Sequence, residues 1–183
     1  TQNISPPTAV ITNNTGTTVL NCTTTSISLS ASGGTSYAWS GGSSTNTANN
    51  SVNSPATYTV TVTAANGCTD TESITVTQSV TPPTAIITNN TGTTELDCTT
   101  TSILLTAEGG DSYAWSGGSS TNSANNSVNS PATYTVTVTA ANGCTDTESI
   151  TVTQSVTPPT AIITNNTGTT ELDCTTTSIL LTA

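Results

Sequence analysis

The side chains in this sequence that carry reactive or metal-binding groups are ten carboxylates, five cysteines and many hydroxyl groups. A bond between the cysteines at 98 and 144 would bring four of the carboxylates close together: Glu95, Asp97, Asp146 and Glu148. Four like charges repel unless a cation neutralises them, and carboxylate oxygens suit Ca²⁺. Two interpretations stay open, a calcium site or acidic residues that keep a strand edge soluble and unpaired.

The sequence lacks the basic side chains that enzymes most often use for catalysis. The sequence contains no Lys, Arg or His, and its formal net charge is −10. A Ser or Thr nucleophile needs an adjacent base, and although paired carboxylates alone can hydrolyse glycosides, nothing else in the sequence indicates a cleft. We therefore predict that the chain is not an enzyme and needs no cofactor other than, at most, calcium.

The absence of positively charged side chains also limits which partners this chain can bind. Without Lys or Arg there is nothing to neutralise phosphates, which excludes ordinary nucleic-acid binding and attraction to anionic membranes. No apolar run approaches the ~20 residues that span a bilayer, so membrane insertion is not expected either. We expect the partners to be identical repeats or subunits of one fibre, together with covalent glycans.

The cysteines follow a regular spacing: Cys22, Cys68, Cys98, Cys144 and Cys174. Because 46 residues separate both Cys22 from Cys68 and Cys98 from Cys144, we predict bonds within each pair, each stabilising its domain by about 4 kcal/mol in the chain-entropy model. The alternative is a bond from Cys68 to Cys98, which would link neighbouring units. Either arrangement indicates an oxidising compartment.

Glycan attachment is the next candidate chemistry. The sequon Asn-x-Ser/Thr occurs at Asn3 and Asn21 and at the five positions that we take as glycosylation candidates: Asn13, Asn49, Asn89, Asn125 and Asn165. The Thr- and Ser-rich faces also offer O-linked sites. Trp39 and Trp115 could form a platform for sugars, but we favour a core position, as in immunoglobulin-like sandwiches.

Self-similarity is the strongest signal in the sequence. The motif that begins at Pro6 returns 76 residues later at Pro82 and again at Pro158; residues 6–81 and 82–157 differ at eight positions, and residues 158–183 repeat residues 82–107 without a change. We therefore predict the end of a preceding linker at 1–5, repeats at 6–81 and 82–157, and the first part of a third repeat at 158–183. The sequence is then a window of a longer array, and copies supply reach or avidity.

Each repeat shows the patterns of strands. Tyr58, Val60 and Val62 alternate with Thr, as in a half-buried strand, and Asn66-Gly67 is a strong hairpin signal. We expect strands near 9–12, 25–31, 36–40, 56–65 and 69–78, with one or two short strands in 43–54. About seven short strands and regular turns predict an all-β fold of tandem immunoglobulin-like β-sandwiches, with one disulfide per domain.

Three segments also resemble a known family. Ser36–Ser40, Ala56–Cys68 (ATYTVTVTAANGC) and Glu72–Gln78 (ESITVTQ) are similar to the immunoglobulin-like or PKD-like repeats of Bacteroidota cell-surface adhesins of the gliding-motility-associated, type IX-secreted type. The resemblance implies an extracellular module used for reach, adhesion or filament building. It names no ligand, and the family usually contains Lys and Arg, which are missing here.

Three functions remain in view. The first is a structural repeat of an extracellular fibre, filament or adhesin stalk, polymeric and glycosylated. The second is a repeated adhesive or carbohydrate-binding module, and the third is a passive spacer in a larger secreted enzyme. The short linker at 78–83 contains Pro-Pro, which favours an extended backbone, so we expect neighbouring units to lie end to end.

Overall fold

The computed structural model describes residues 4–183, and throughout this range the regular structure is β-strand, without a helix. The first eight strands are β1 (Val10–Asn13), β2 (Val19–Asn21), β3 (Ile27–Ser32), β4 (Ser36–Trp39), β5 (Asn49–Val52), β6 (Ala56–Thr63), β7 (Thr69–Ser79) and β8 (Ile86–Asn89). The remaining strands are β9 (Glu95–Leu96), β10 (Ile103–Glu108), β11 (Ser112–Trp115), β12 (Asn125–Val128), β13 (Ala132–Thr139), β14 (Thr145–Gln154), β15 (Thr164–Asn165) and β16 (Leu181–Thr182). No membrane-spanning helix occurs among these residues.

Fourteen of the strands form two successive sandwiches of the same design, and β15 and β16 form a separate two-stranded sheet. In the first, a three-stranded sheet in the order β1-β3-β5 faces a four-stranded sheet in the order β2-β7-β6-β4. In the second, β8, β10 and β12 form the smaller sheet, and β9, β14, β13 and β11 form the larger one. The predicted all-β, immunoglobulin-like fold is confirmed. The predicted repeat boundaries remain predictions, and the linker assigned to 1–5 begins outside the described residues.

The core follows from the alternation in the sequence. Tyr58, Val60 and Val62 of β6 are buried against Ile27 and Leu29 of β3 in one apolar cluster. Thr59, which lies between Tyr58 and Val60, faces away from this cluster, and its Oγ1 is hydrogen-bonded across the hairpin to Ser73 Oγ at 2.9 Å. The second sandwich repeats this cluster with the equivalent residues. Period-two patterning therefore accounts for both the strands and the face that each one buries.

The tryptophans belong to this core. Trp39 is 5 % exposed, and its Nε1 donates to the carbonyl oxygen of Thr47 at 2.9 Å. Trp115 is equally buried and donates to the carbonyl oxygen of Ser123. The prediction of core tryptophans is confirmed, and neither ring presents a face on which a sugar could stack.

One strand of each sandwich was not predicted. β2 contains only three residues, of which Leu20 is the buried one, and it pairs in parallel with the end of β7, Asn21 lying opposite Ser79. In the second sandwich β9 pairs in the same way with the end of β14. Segments of two or three residues are too short to show a period, so only the folded chain reveals this parallel pairing.

Candidate functional site at the junction between the sandwiches

The one disulfide among the described residues joins the two sandwiches. It links Cys22 to Cys144, with a Cα–Cα distance of 5.0 Å and a sequence separation of 122 residues. The predicted bonds within each repeat, Cys22–Cys68 and Cys98–Cys144, are wrong, as is the idea of one disulfide per domain. The alternative bond between Cys68 and Cys98 is not formed either, because both thiols are free, like that of Cys174.

The parallel pairing of β2 explains why the predicted bonds do not form. Cys22 follows β2, which ends alongside the last residue of β7, whereas Cys68 immediately precedes the first residue of β7. Because β7 has 11 residues, the two cysteines lie at opposite ends of the sandwich, roughly 35 Å apart at 3.2–3.4 Å per residue. A disulfide requires Cα atoms within about 7 Å of each other.

The second sandwich presents its partner cysteine on a hairpin that contacts the first sandwich. The backbone N–H of Cys22 donates to the carbonyl oxygen of Asn142 at 3.3 Å. The Asn142 side chain donates to the carbonyl oxygen of Thr81 in the linker at 3.0 Å, and its Oδ1 accepts from the N–H of Cys144 at 3.0 Å. Asn142 therefore holds the linker, the hairpin and the cysteine together.

A tight turn presents Cys22 to this hairpin. Asn21 Oδ1 accepts from the backbone N–H groups of Thr23 and Thr24, at 3.0 and 2.6 Å. On the opposing side Gly143 has a φ of +74°, and a Cβ there would overlap the Thr23 methyl group. The junction accordingly needs glycine at 143, both for its left-handed backbone and for the close approach.

The four carboxylates considered for calcium do not meet, which corrects the expectation of a shared site. Glu95 lies beside Thr153 near the end of β14, whereas Asp146 and Glu148 lie near its start. Since the expected proximity depended on a bond between Cys98 and Cys144, it disappears with that bond. No group of three or more potential metal ligands occurs among residues 4–183.

Two of these carboxylates, Asp97 and Asp146, accept hydrogen bonds from backbone N–H groups instead. Asp97 Oδ1 accepts from the N–H groups of Thr100 and Thr99 and from the Thr99 hydroxyl, and these bonds, led by that of Thr100, lower the pKa of Asp97. Asp146 Oδ2 accepts from the Ala85 N–H at 2.9 Å, which is the main reason that the pKa of Asp146 is lowered. Their role in this structure is to fix turns and strand ends.

The sequon asparagines differ in how their side chains are held. The Nδ2 groups of Asn13, Asn89 and Asn165 each donate to the carbonyl oxygen four residues later, at 2.8, 2.7 and 2.7 Å. Asn49 and Asn125 are exposed, Asn21 forms the turn before Cys22, and Asn3 lies outside the described residues. Asn49 and Asn125 are therefore the sequon positions that best accommodate a glycan.

Sequence reasoning did not identify the buried amides of Asn50 and Asn126. Asn50 is 4 % exposed; its Nδ2 donates to the carbonyl oxygen of Gly41 at 2.7 Å, and its Oδ1 accepts from the N–H of Ser44 at 3.1 Å. Asn126 repeats both bonds in the second sandwich. Each occurs in an Asn-Asn pair whose members look alike in sequence, so no signal distinguishes the buried one.

The surface shows shallow polar grooves. One groove of about 400 Å³ is lined by Tyr58 together with Ser, Gly and Asn residues, and another lies beside Pro6, Pro7 and the hairpin at Asn66. Neither lining contains a carboxylate or a cysteine, so neither brings a nucleophile next to a base. The junction, held by a covalent bond and several hydrogen bonds, is the more distinctive arrangement.

No protein-family model and no curated protein matches the sequence. Among solved structures, the chain is similar to a Ca²⁺-stabilised adhesin that helps an Antarctic bacterium reach out and bind ice, with 16 % identity and a TM-score of 0.59. The match covers 88 % of this chain and 52 % of the adhesin structure, so the chain spans about half its length.

Two further structures align less well. A C-terminal fragment of intimin, solved with the intimin-binding domain of its translocated receptor, has 16 % identity and a TM-score of 0.40 over 90 % of this chain and 68 % of the fragment. The amphioxus IgVJ-C2 molecule has 16 % identity and a TM-score of 0.34 over 70 % of this chain and 96 % of its own. At 16 % identity, the similarity to the adhesin structure supports a shared fold alone.

Proposed function

We propose that this chain is a tension-resisting segment of an extracellular adhesin stalk or fibre, in which disulfides join successive sandwiches. The observation that carries the proposal is the bond between Cys22 and Cys144. It gives the junction a second covalent connection beside the linker at 80–85, between β7 and β8, and two connections limit both bending and twisting. A bond of this kind suits a compartment outside the cytoplasm.

The position of the bond determines how a pulling force would travel. A force applied at the two termini reaches Cys22, crosses the disulfide to Cys144 and bypasses the 122-residue separation between them. Strands β3 to β13 lie entirely inside this loop. Most of both sandwiches is therefore protected from extension, which is a useful property in a stalk and has no evident use in an enzyme.

Single-molecule force spectroscopy tests this role. Under oxidising conditions the loop cannot extend; after reduction it should add up to about 430 Å of contour length, from the 122-residue separation at ~3.5 Å per residue. The Cys22→Ser variant should show the long extension with or without reductant. Equal contour lengths for the oxidised and reduced chain would refute the proposal.

Glycosylation of the fibre surface is proposed together with this role and can be tested separately. We propose glycans on Asn49 and Asn125, the two exposed sequon positions, where sugars would hydrate a fibre that lacks basic residues. Intact-mass spectrometry of native material should show mass above that of the polypeptide, and the bare polypeptide mass would end this idea. Membership of the Bacteroidota gliding-motility group likewise remains a proposal, supported by the resemblance of the repeat motifs.

A further inference from the structure

The first half of β7, and equally that of β14, forms an edge of the larger sheet in its sandwich. β6 pairs with residues 69–76 of β7 on one side, whereas β2 pairs only with residues 77–79 on the other. In the second sandwich β13 borders β14 over residues 145–152, and β9 reaches only its end. Within residues 4–183, no strand therefore pairs with this edge over 69–75 or over 145–151.

The backbone groups on this edge follow from the alternation of an antiparallel pair. At the hairpin the Ala64 N–H donates to the carbonyl oxygen of Cys68 at 2.9 Å, so the even-numbered residues of β7 share hydrogen bonds with β6. The odd-numbered residues direct their N–H and C=O groups to the other side, where the Thr77 N–H donates to the carbonyl oxygen of Thr18 at 2.9 Å. The odd-numbered residues within 69–75 therefore present donors and acceptors to which no strand is bound.

Two other sheet edges of the first sandwich are covered by loops of the chain itself. On β4 the Trp39 N–H donates to the carbonyl oxygen of Thr45 at 2.7 Å, and on β5 the carbonyl oxygen of Ser51 accepts from the Ser43 N–H at 2.9 Å. Along β7, in contrast, residues 71–73 are exposed. An exposed row of strand hydrogen-bonding groups is a template for an added strand.

Two carboxylates in each sandwich lie on this edge. In β7, Asp70 and Glu72 lie opposite Val62 and Val60, so both are on the face of the sheet that turns toward the core. Asp70 Oδ2 accepts from the Ala9 N–H at 2.8 Å, whereas Glu72 is exposed. The second sandwich repeats this arrangement. Inward-pointing charges on an edge strand restrict which strands can pair with it.

The charge on the edge determines which strand can occupy it. Like charges opposite each other on neighbouring strands destabilise a sheet, and opposite charges stabilise it. A second copy of this chain contains no Lys or Arg and has a net charge of −10, so it cannot supply the opposite charge. An extended segment of a different protein, with Lys or Arg at alternate positions, supplies both the backbone partners and the positive charges.

We propose that the first halves of β7 and β14 are docking sites for an extended segment of a partner protein that carries Lys or Arg, and that this segment adds to the larger sheet as a further strand. The backbone groups of the edge supply affinity, and Glu72 and Glu148 select basic side chains and reject acidic ones. Because each sandwich offers one site, a partner with two such segments would gain avidity. The proposal does not depend on the tension-resisting role, since it does not involve the disulfide.

A blocked peptide in which Lys and Thr alternate, with a strand-like length of about eight residues, is the probe for the oxidised full chain. Amide NMR should show slower hydrogen exchange at the odd-numbered residues within 71–75 and 147–151, and added salt should weaken the binding. A peptide in which Glu and Thr alternate should bind neither sandwich. Exchange changes confined to other residues, or equal binding of the acidic peptide, would overturn the proposal.

Methylation of the peptide nitrogens separates strand addition from attraction by charge alone. In an added strand only alternate N–H groups face the edge, so methylating either the Lys nitrogens or the Thr nitrogens should abolish binding, and methylating the other set should not. Both methylated peptides keep the same charge. Equal binding by the two peptides would show that no strand is added and would overturn the proposal.

A matched pair of double variants tests the selecting carboxylates. Glu72→Gln combined with Glu148→Gln should weaken binding of the Lys–Thr peptide about threefold, as expected for the loss of an exposed ion pair at each site. Glu95→Gln combined with Glu108→Gln removes the same number of charges from β9 and β10 and should leave binding unchanged. All four side chains are exposed, so neither variant disturbs a core. Equal weakening by both variants would show that net charge attracts the peptide and would overturn the proposal.

Discussion

At the scale of single residues, a few polar side chains determine the irregular parts of this fold. The buried amides of Asn50 and Asn126 each satisfy one backbone carbonyl and one N–H group, in the loop between β4 and β5 and in the loop between β11 and β12. Buried backbone groups left without partners cost more than a formed hydrogen bond gains. These two side chains are therefore as important to the loops as the apolar residues are to the strands.

Replacing Asn126 by Ala should destabilise the second sandwich by about 1–3 kcal/mol, because it leaves the Gly117 carbonyl and the Ser120 N–H without their partner. Equilibrium urea denaturation, followed by tryptophan fluorescence, measures the change. Asn129→Ala is the matched control, since Asn129 is exposed, and it should alter stability by less than about 0.5 kcal/mol. Similar losses in both variants would contradict the role of the buried amide.

Asp146 should make the free energy of unfolding depend on pH in the acidic range. Its pKa lies below the ordinary value of 3.8 because the Ala85 N–H donates to it, so its contribution is complete above about pH 4 and is lost as the pH falls through the folded-state pKa. Asp146→Asn should be less stable at neutral pH and should lose less stability on acidification than the unmodified chain.

Denaturation curves between pH 7 and pH 2 check this prediction. Glu148→Gln is the control, because that carboxylate is exposed on the same strand and accepts no comparable backbone bond. If the acid dependence of Asp146→Asn matched that of the unmodified chain, the hydrogen bond to Ala85 would not be a source of stability.

At the scale of secondary structure, the short parallel strands β2 and β9 each bury a leucine and determine where the following cysteine lies. Each contributes one buried leucine to the core and extends the larger sheet along the end of β7 or β14. By ending beside the last residues of those strands, they place Cys22 and Cys98 at the end of the sandwich from which the linker leaves. The connectivity of the disulfide is therefore a consequence of strand pairing.

Leu96→Ala should cost about 2–5 kcal/mol, as is usual for a fully buried leucine. Leu104→Ala on the neighbouring β10 is the matched control; because Leu104 is 45 % exposed, the change should be below about 1 kcal/mol. Chemical denaturation of both variants gives the comparison. A small effect of Leu96→Ala would mean that β9 is not a structural part of the sandwich.

At the scale of the whole molecule, the junction couples two sandwiches that each have their own core. The linker, the Asn142 hydrogen bonds and the disulfide act at the same place. Domains joined by a linker alone are expected to move relative to each other. A second covalent connection removes much of this freedom, which is the property that the proposed stalk requires.

Reduction of the Cys22–Cys144 bond should loosen this coupling without unfolding either sandwich at 25 °C, because each retains its separate core. Small-angle X-ray scattering should show a broader distribution of interatomic distances after reduction, while the near-ultraviolet circular dichroism of Trp39 and Trp115 should persist. Cys144→Ser should reproduce the reduced state. Loss of the tryptophan signal on reduction would show that the bond holds the individual folds together.

Removing calcium with a chelator should not change the stability of the chain. Since Glu95 and Asp97 lie away from Asp146 and Glu148, these residues offer no shared calcium site, and the melting temperature should be the same in EDTA and in excess CaCl₂. A rise of several degrees with calcium would indicate a site built from other oxygen atoms and would contradict this expectation.

Most of the strands, their buried faces and the repetition of one sandwich design could be predicted from the sequence, because alternation and turn residues are local properties. The core positions of Trp39 and Trp115 could be predicted for the same reason. The short strands β2 and β9 could not. Which cysteines meet, and which carboxylates stay apart, follows only from the folded chain. Equal spacings of 46 residues suggested bonds within repeats, but sequence distance does not report on which end of a sandwich a residue lies. The parallel pairing of β2 with β7, set by contacts between segments far apart in the chain, placed Cys22 beyond the reach of Cys68 and beside Cys144.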